Sequence, residues 1–236
     1  MGVMATEAEG SRARPYRGVE AADRLAERRR RLLAAGLELL GADQQDVSGL
    51  TVRGICREAG VATRYFYESF TEKDEFVAGV FDWVVAELAT RTQAAVTTVP
   101  AHDRTRAGMA TLVSSIADDP RVGRLLFSNQ LTDAVVIRKR AESTALFVML
   151  SGQYALGALR MTANDRIKAA AHFVVGGVGQ ILSAWLGSDI RLEPEELVDQ
   201  LVVLVDRLSD PRLYGLMGRA EVATIASPDP GATAAS

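Results

Sequence analysis

The sequence is short of the side chains from which most catalytic centres are built. Its 236 residues include one cysteine, Cys56, and two histidines, His102 and His172. A lone cysteine excludes an internal disulfide, and Cys56 stands in a helical stretch where a small apolar residue would serve equally well, so it reads as core. No HExxH or CxxC spacing is present to hold a metal, no serine stands in a GxSxG elbow, and no nucleophile can be paired with a base. Enzymatic activity, a metal and a cofactor are therefore not expected. No uninterrupted apolar run approaches the ~20 residues needed to cross a membrane, so no membrane contact is expected. The opening MGVMATEAEG has neither a basic start nor an apolar core, so it does not read as a secretory signal. A cytoplasmic location follows. Alternation of polar and apolar residues, the mark of a half-buried strand, is missing as well, which leaves an all-α fold.

What is present is ample apolar material and an uneven charge. Hydrophobic residues make up 48 % of the chain, enough for one large or two small domains without disulfide staples. The net charge is −3 and the pI near 5.5, yet the charges are segregated. Arg12, Arg14, Arg17, Arg24 and the run Arg28 to Arg31 face only Glu20, Asp23 and Glu27. This draws the start of the chain toward a polyanion while the acidic remainder stays off it. Residues 1–20, with no apolar period, are expected to form a mobile basic arm that either reaches into a minor groove or is merely solvated. Over residues 22–41, Leu25, Leu32, Leu33, Leu37 and Leu40 form the apolar stripe of a helix. Its arginine run is expected to be mostly solvated surface, with one arginine within reach of a phosphate.

Residues 51–76, TVRGICREAGVATRYFYESFTEKDEF, organise the rest of the chain. They read as two short helices joined by a tight turn, followed by the start of a third. Thr51 can cap the first helix, whose apolar Val52, Ile55 and Ala59 recur at three- and four-residue spacing. Gly60 ends it in the left-handed conformation that glycine adopts without steric cost, and Val61 supplies the following apolar contact. In the second helix, read over 62–69, Phe66 centres the buried stripe with Ala62 and Phe70 on its side. Thr63, Arg64, Tyr65 and Tyr67 are left on the exposed face and flanks, a set that suits the DNA major groove. Arginine can grip guanine bidentately, and hydroxyls can bond bases or phosphates. The third helix is expected to open at Thr71 with Asp74 completing a capping box, and Lys73 in its first turn suits a phosphate.

This stretch resembles the TetR family of bacterial transcriptional regulators. The resemblance is carried by Leu50-Thr51, Ile55, Ala59-Gly60-Val61, Phe66-Tyr67, Phe70 and Lys73. It implies a homodimeric all-α protein with an N-terminal three-helix helix-turn-helix DNA-binding domain and a larger helical-bundle domain for ligand binding and dimerisation. It implies further that Thr51 and Tyr67 hold phosphates, that Thr63, Arg64 and Tyr65 face bases, and that Lys73 contacts the backbone. Two departures stand out. Ala62 replaces a capping serine, so that cap comes from Thr63 or is absent. Glu68 places a carboxylate beside phosphates, where it is expected either to pair with Arg64 one turn away or to accept from a cytosine amino group.

The third helix continues through Phe76, Val80, Phe81, Trp83, Val84 and Leu88 to about residue 96. Further helices are expected at about 103–117, from Pro120 to about 130, at 132–159, at 168–187 and at 194–209, with Asp119 and Pro120 starting the second of these. The resulting organisation is an arm at 1–20, a DNA-binding domain at 21–75, a ligand-binding and dimerisation domain at 76–210 and a tail at 211–236. Gly176, Gly177 and Gly179 in mid-helix allow a second backbone to approach. With the resemblance, the last two helices read as a dimer interface of four helices across a two-fold axis, although ordinary intramolecular core fits the same pattern. A small-molecule inducer would be lined by residues drawn from Trp83, Met109, Phe127, Phe147, Met149, Tyr154, His172 and Gln180. Each aromatic or methionine among them reads equally as core packing. The function expected from all of this is a repressor that leaves a palindromic operator when a small molecule binds. The alternative is a DNA-binding protein without a ligand, whose second domain would be filled by its own side chains.

Overall fold

A computed structural model of the chain describes residues 16–43, 50–159 and 165–208, with the side chains of 16–21 and 152–159 left outside that description. Residues 1–15 of the expected arm, 44–49 of the first loop and the whole expected tail at 211–236 fall outside it too. Every regular element among the described residues is helical. α1 spans Tyr16–Leu40, α2 Val52–Ala59, α3 Thr63–Tyr67 and α4 Lys73–Thr97. A 3-10 turn at Ala101–Asp103 leads into α5 at Arg104–Asp118 and α6 at Pro120–Phe127. α7 at Ala134–Leu159, α8 at Asp165–Leu186 and α9 at Pro194–Arg207 complete the order. α1 begins six residues before the apolar stripe does, because alanine, glutamate and arginine propagate a helix without any buried face.

The helix ends follow local chemistry. Thr51 Oγ1 accepts the Gly54 N–H at 3.1 Å, and Gly60 stops α2 at φ 62° with its N–H on the Arg57 carbonyl. Asp119 caps α6, and Pro120 takes the first turn. No side chain caps α3 from Ala62. The expected capping box at the start of α4 is corrected. Thr71 donates both its backbone N–H, at 2.6 Å, and its hydroxyl, at 2.7 Å, to Glu75, four residues on, rather than engaging Asp74. A carboxylate two methylenes from its backbone reaches back over one turn where the shorter aspartate does not. These two bonds, the backbone one first, hold the Glu75 carboxyl below its ordinary value of 4.5. A depressed folded-state pKa contributes stability that is full above the unfolded value and lost as pH falls through the folded one. The Glu75→Gln protein is therefore expected to unfold at lower urea than the parent at pH 7, with the gap closing below pH 4.5. A gap that persists unchanged at pH 3 would exclude the charge as its cause.

The larger core is continuous from the helix-turn-helix into the body. Leu32, Leu33 and Leu37 of α1, Ile55 of α2, Phe66 of α3 and Phe76, Val80 and Phe81 of α4 are buried together with Leu125 of α6 and Val136 of α7. α4 is thus a spine shared by both halves. A second cluster, Val113, Ile116, Leu182, Leu197, Val198 and Leu201, joins α5, α8 and α9. α6 is fastened from both sides. Arg121 pairs with Glu38 of α1, and Arg124 donates to the Gly41 carbonyl. From α7, Arg140 donates to the carbonyls of Leu125, at 2.8 Å, Arg124, at 3.1 Å, and Leu131, at 3.2 Å. Burial pushes the Arg140 guanidinium below its usual pKa, and those carbonyls, two at the end of α6 and one in the loop after it, take the place of a carboxylate.

α8 is the most apolar of the described helices over its length. By length and composition it is apolar enough to cross a membrane, with a mean hydropathy of 1.4 over 18 residues of which 11 % are buried. Glycines and alanines make it so without a solid apolar run. Its exposed side carries Phe173, and a Cβ added at Gly176 or Gly177 would meet nothing within 4 Å.

Candidate functional site

α3 is five residues long and cannot hold itself together in isolation. What positions it is Phe66, fully buried, whose ring lies 5.6 Å from that of Phe70 and 5.5 Å from that of Phe76. The remaining residues of the helix then point as the period requires. Thr63, Arg64 and Tyr67 are exposed, Tyr67 at 61 %, with its ring edge-on to Phe66. Thr51 is exposed at the start of α2, and Lys73 is the half-buried first residue of α4, with no ion pair among the described residues. All six residues expected to meet DNA therefore have exposed or half-exposed side chains on the α2–α3–α4 end, but the ring of Tyr65 is held by arginines.

Tyr65 is half-buried between two guanidinium groups. The Arg28 carbon lies 4.3 Å from its ring centroid and the Arg64 carbon 4.6 Å, while Arg64 also donates to the Tyr65 hydroxyl at 2.6 Å. That bond, reinforced by charge interaction, raises the Arg64 pKa and ties its head to the Tyr65 hydroxyl. The expected Glu68–Arg64 pair is not formed. Glu68 is bonded by Arg28 at 3.3 Å instead, because α1 crosses close to the end of α3 and offers a nearer cation. Glu68 is thereby neutralised from within the protein, which lowers its repulsion toward a phosphate.

The arginine run of α1 is largely exposed, as expected, and three of its heads also bond the reading pair. Arg29 donates to the Ser69 carbonyl at 2.7 Å and covers the Phe70 ring at 4.3 Å, and Arg31 donates to the Gly60 carbonyl at 3.1 Å. Only Arg30 turns back along its own helix, to Glu27 at 2.6 Å. Three consecutive turns of the reading pair are thus held by one helix. Long aliphatic stems over apolar surface and heads on open carbonyls are what arginine offers there. The thiol of Cys56 is pushed up by burial, against a smaller opposite effect of the Thr63 hydroxyl, in keeping with a core role.

A cavity of about 180 Å³ lies where α1, α4, α5 and α6 meet. Leu37, Trp83, Val84, Leu88 and Val122 form its apolar walls, and Ser115, Glu87, Arg91, Asp118 and Asp119 its polar groups. Of the eight residues expected to line a pocket, Trp83 does so here. Met109 and Phe127 are packed against the α5–α8–α9 core. Phe147 and Met149 are exposed on α7, at 37 % and 51 %, and His172 and Gln180 are exposed on α8. The side chain of Tyr154 lies outside the described residues. Helical period tells which faces are apolar but not which apolar face turns toward the rest of the chain. The polar lining carries one sequence signal, Glu87 and Arg91 four residues apart on one face. Ser115, between Val113 and Ile116, carries another, a hydroxyl inside an apolar stripe.

No protein-family model and no curated protein matches the chain. Solved structures do. A TetR-family transcriptional regulator from Streptomyces coelicolor superposes with a TM-score of 0.59 at 18 % identity, over 88 % of this chain and 92 % of that one. The transcriptional regulator FadR from Bacillus subtilis, in complex with stearoyl-CoA, gives a TM-score of 0.61 at 14 % identity, over 75 % of this chain and 96 % of that one. A TetR-like transcriptional regulator from a Rhodococcus species gives 0.58 at 15 % identity, over 80 % and 96 %. The all-α architecture described above is the TetR-like fold.

Proposed function

We propose that this chain is a TetR-family transcriptional regulator, a homodimeric repressor that leaves a palindromic operator when a small molecule binds its second domain in the cytoplasm. The observation that carries the reading is α3 presenting Thr63, Arg64 and Tyr67 outward while Phe66 and the arginines of α1 fix its direction. A dimer would place two such helices in successive major grooves, roughly 34 Å apart for half-sites one turn apart. The dimer contact is supported by the open side of α8, with Phe173 at 69 % exposure and space above Gly176 and Gly177, and by Val203 and Leu204 at 53 % and 43 % on α9. A second copy is an occupant that this apolar surface fits.

The cavity supports a ligand-responsive protein over a ligand-free one, whose second domain would be filled. Leu37 belongs to the helix that clamps the reading pair, and Val122 to α6, which is bolted to that helix. A molecule that prefers one setting of α1 against α4 and α6 would shift the spacing of the two recognition helices through its differential affinity alone. At about 180 Å³ the cavity suits a small ligand rather than a long acyl chain.

The test is selection of retained sequences from a pool of randomised duplexes at moderate salt. An enriched palindrome is expected. Arg64→Ala should then cost about 1–3 kcal/mol and relax one operator position, whereas Lys73→Ala should weaken all sequences alike and reduce the salt slope by about one. Equal losses on operator and random DNA for Arg64→Ala would remove it from base reading. No enrichment at all would leave backbone electrostatics only and overturn the operator.

A further inference from the structure

We propose that Tyr65 is a positioning residue that fixes the direction of Arg64 for one guanine of each half-site, and that Glu68 and Arg28 hold Tyr65 in place for that task. The inference deepens the operator-binding reading and rests on it for the role at DNA, whereas the stack of side chains exists without DNA.

Four side chains from two helices form one series. Glu68, just past the end of α3, accepts from the guanidinium of Arg28 on α1 at 3.3 Å. The Arg28 guanidinium carbon lies 4.3 Å from the Tyr65 ring centroid. The Tyr65 hydroxyl accepts from Arg64 Nη2 at 2.6 Å, and the Arg64 carbon lies 4.6 Å from the same centroid. Arg28, with a side chain 25 % exposed, and the half-buried Tyr65 are the inner members, and Arg64 is the exposed end.

The seat of Arg28 shows what holds the series. Of the three α1 arginines that reach the reading pair, Arg29 and Arg31 end on the backbone carbonyls of Ser69 and Gly60. Arg28 ends on side chains, those of Tyr65 and Glu68. Its Nε is buried with no hydrogen-bond partner among the described residues, which costs free energy. The ring and the carboxylate offset that cost and keep the head where it is. A guanidinium over its face then restricts the Tyr65 ring, and the ring presents its hydroxyl to Arg64.

The consequence for DNA lies in side-chain freedom. A free arginine must give up many rotamers when it grips a base. A head tied to the Tyr65 hydroxyl has given up part of them beforehand. The tie uses one N–H and leaves a pair for O6 and N7 of guanine. This differs from the role that the resemblance implies for Tyr65, which is to face a base itself. The series also gives Glu68 a task at a helix end where its charge alone would only repel phosphates.

The test reads anisotropy on the selected operator, its single-base variants and random DNA. Tyr65→Phe keeps the ring and removes only the hydroxyl. It is expected to lower discrimination about three- to tenfold at the one position that Arg64→Ala relaxes, with the urea midpoint unmoved. Tyr65→Phe/Arg64→Ala should discriminate no less than Arg64→Ala alone, because a residue acting through Arg64 has nothing left to orient. Glu68→Ala should tighten binding to random DNA, as a negative charge leaves the face, yet lower discrimination at that same position. Full discrimination in Tyr65→Phe, a loss at a different position, or losses that multiply in the double variant overturn the role of Tyr65. Tighter random binding with unaltered discrimination in Glu68→Ala overturns that of Glu68. Proton NMR of the free full chain reads the stack without DNA. Ring current from Tyr65 should move the Cδ protons of Arg28 and Arg64 upfield of their positions in Tyr65→Leu, and identical shifts overturn the stack. Shifted resonances with no enriched palindrome overturn the operator-binding reading and the role of Tyr65 with it. A palindrome whose Arg64 position is indifferent to Tyr65→Phe overturns the role of Tyr65 alone.

Discussion

Phe66→Ala is expected to remove roughly 3–5 kcal/mol of folding stability, the largest effect of any single substitution in the reading unit. The ring is fully buried and meets Phe70, Phe76 and Tyr67 within 5.6 Å. Phe70 and Phe76 belong to the turn before α4 and to α4 itself, so movement of α3 alone does not close the gap. Against a typical total of about 5–15 kcal/mol the loss is large enough to show directly in urea denaturation followed by circular dichroism. Phe66→Leu, which keeps most of the volume, should cost less than about 1.5 kcal/mol. Hydrogen exchange should show α2 and α3 opening in the alanine variant before the α5–α8–α9 cluster does, since that cluster shares no buried residue with the first. A midpoint shift within about 0.5 kcal/mol of the parent would mean that α3 is not held by this ring.

Gly41→Val is the second large effect, and it acts on communication as well as stability. A Cβ at residue 41 would lie 2.6 Å from the Arg121 Cβ, 2.7 Å from its carbonyl oxygen and 2.8 Å from its Cα. Backbone cannot rotate aside as a side chain can, so α6 must withdraw from the end of α1. Overpacking of this kind costs about 1–3 kcal/mol, equivalent to a fall of about 2–12 °C in Tm for a domain of this size. The withdrawal also pulls Arg124 from the Gly41 carbonyl and Arg121 from Glu38, the two fastenings between α6 and the clamp helix. Operator affinity is expected to persist while the effect of any cavity ligand on it diminishes. An unaltered melting curve would show that the two backbones are further apart in solution than this packing requires.

Much of the fold was legible because much of it is local. Thr51, Gly60, Asp119 and Pro120 act on amides and dihedrals within one turn of themselves, so their roles at helix ends could be read from residue type and position. The burial of Phe66 and the exposure of Thr63, Arg64 and Tyr67 followed from the helical period alone. Even at short range, side-chain reach decided one detail, since Thr71 took the longer Glu75 over Asp74. The pocket was the least legible part. Met109, Phe127, Phe147, Met149, His172 and Gln180 stand out in the sequence as large or polar groups in apolar runs, whereas the cavity at Trp83 lies where four helices leave space between them. That depends on the crossing of α1 over α4 and on the seat of α6.

The sequence by itself determined that the chain is helical, where most helices start and stop, and which side of α3 faces outward. Each of these is set by interactions within four or five residues along the chain. Tertiary structure decided which partner each long charged side chain takes. Arg28 reaches Glu68 and Arg29 reaches Ser69 across 40 residues of sequence, and Arg124 reaches Gly41 across 83. Periodicity specifies faces, but an arginine six bonds long chooses among all carbonyls and carboxylates that packing brings within its reach, and packing is a property of the whole chain.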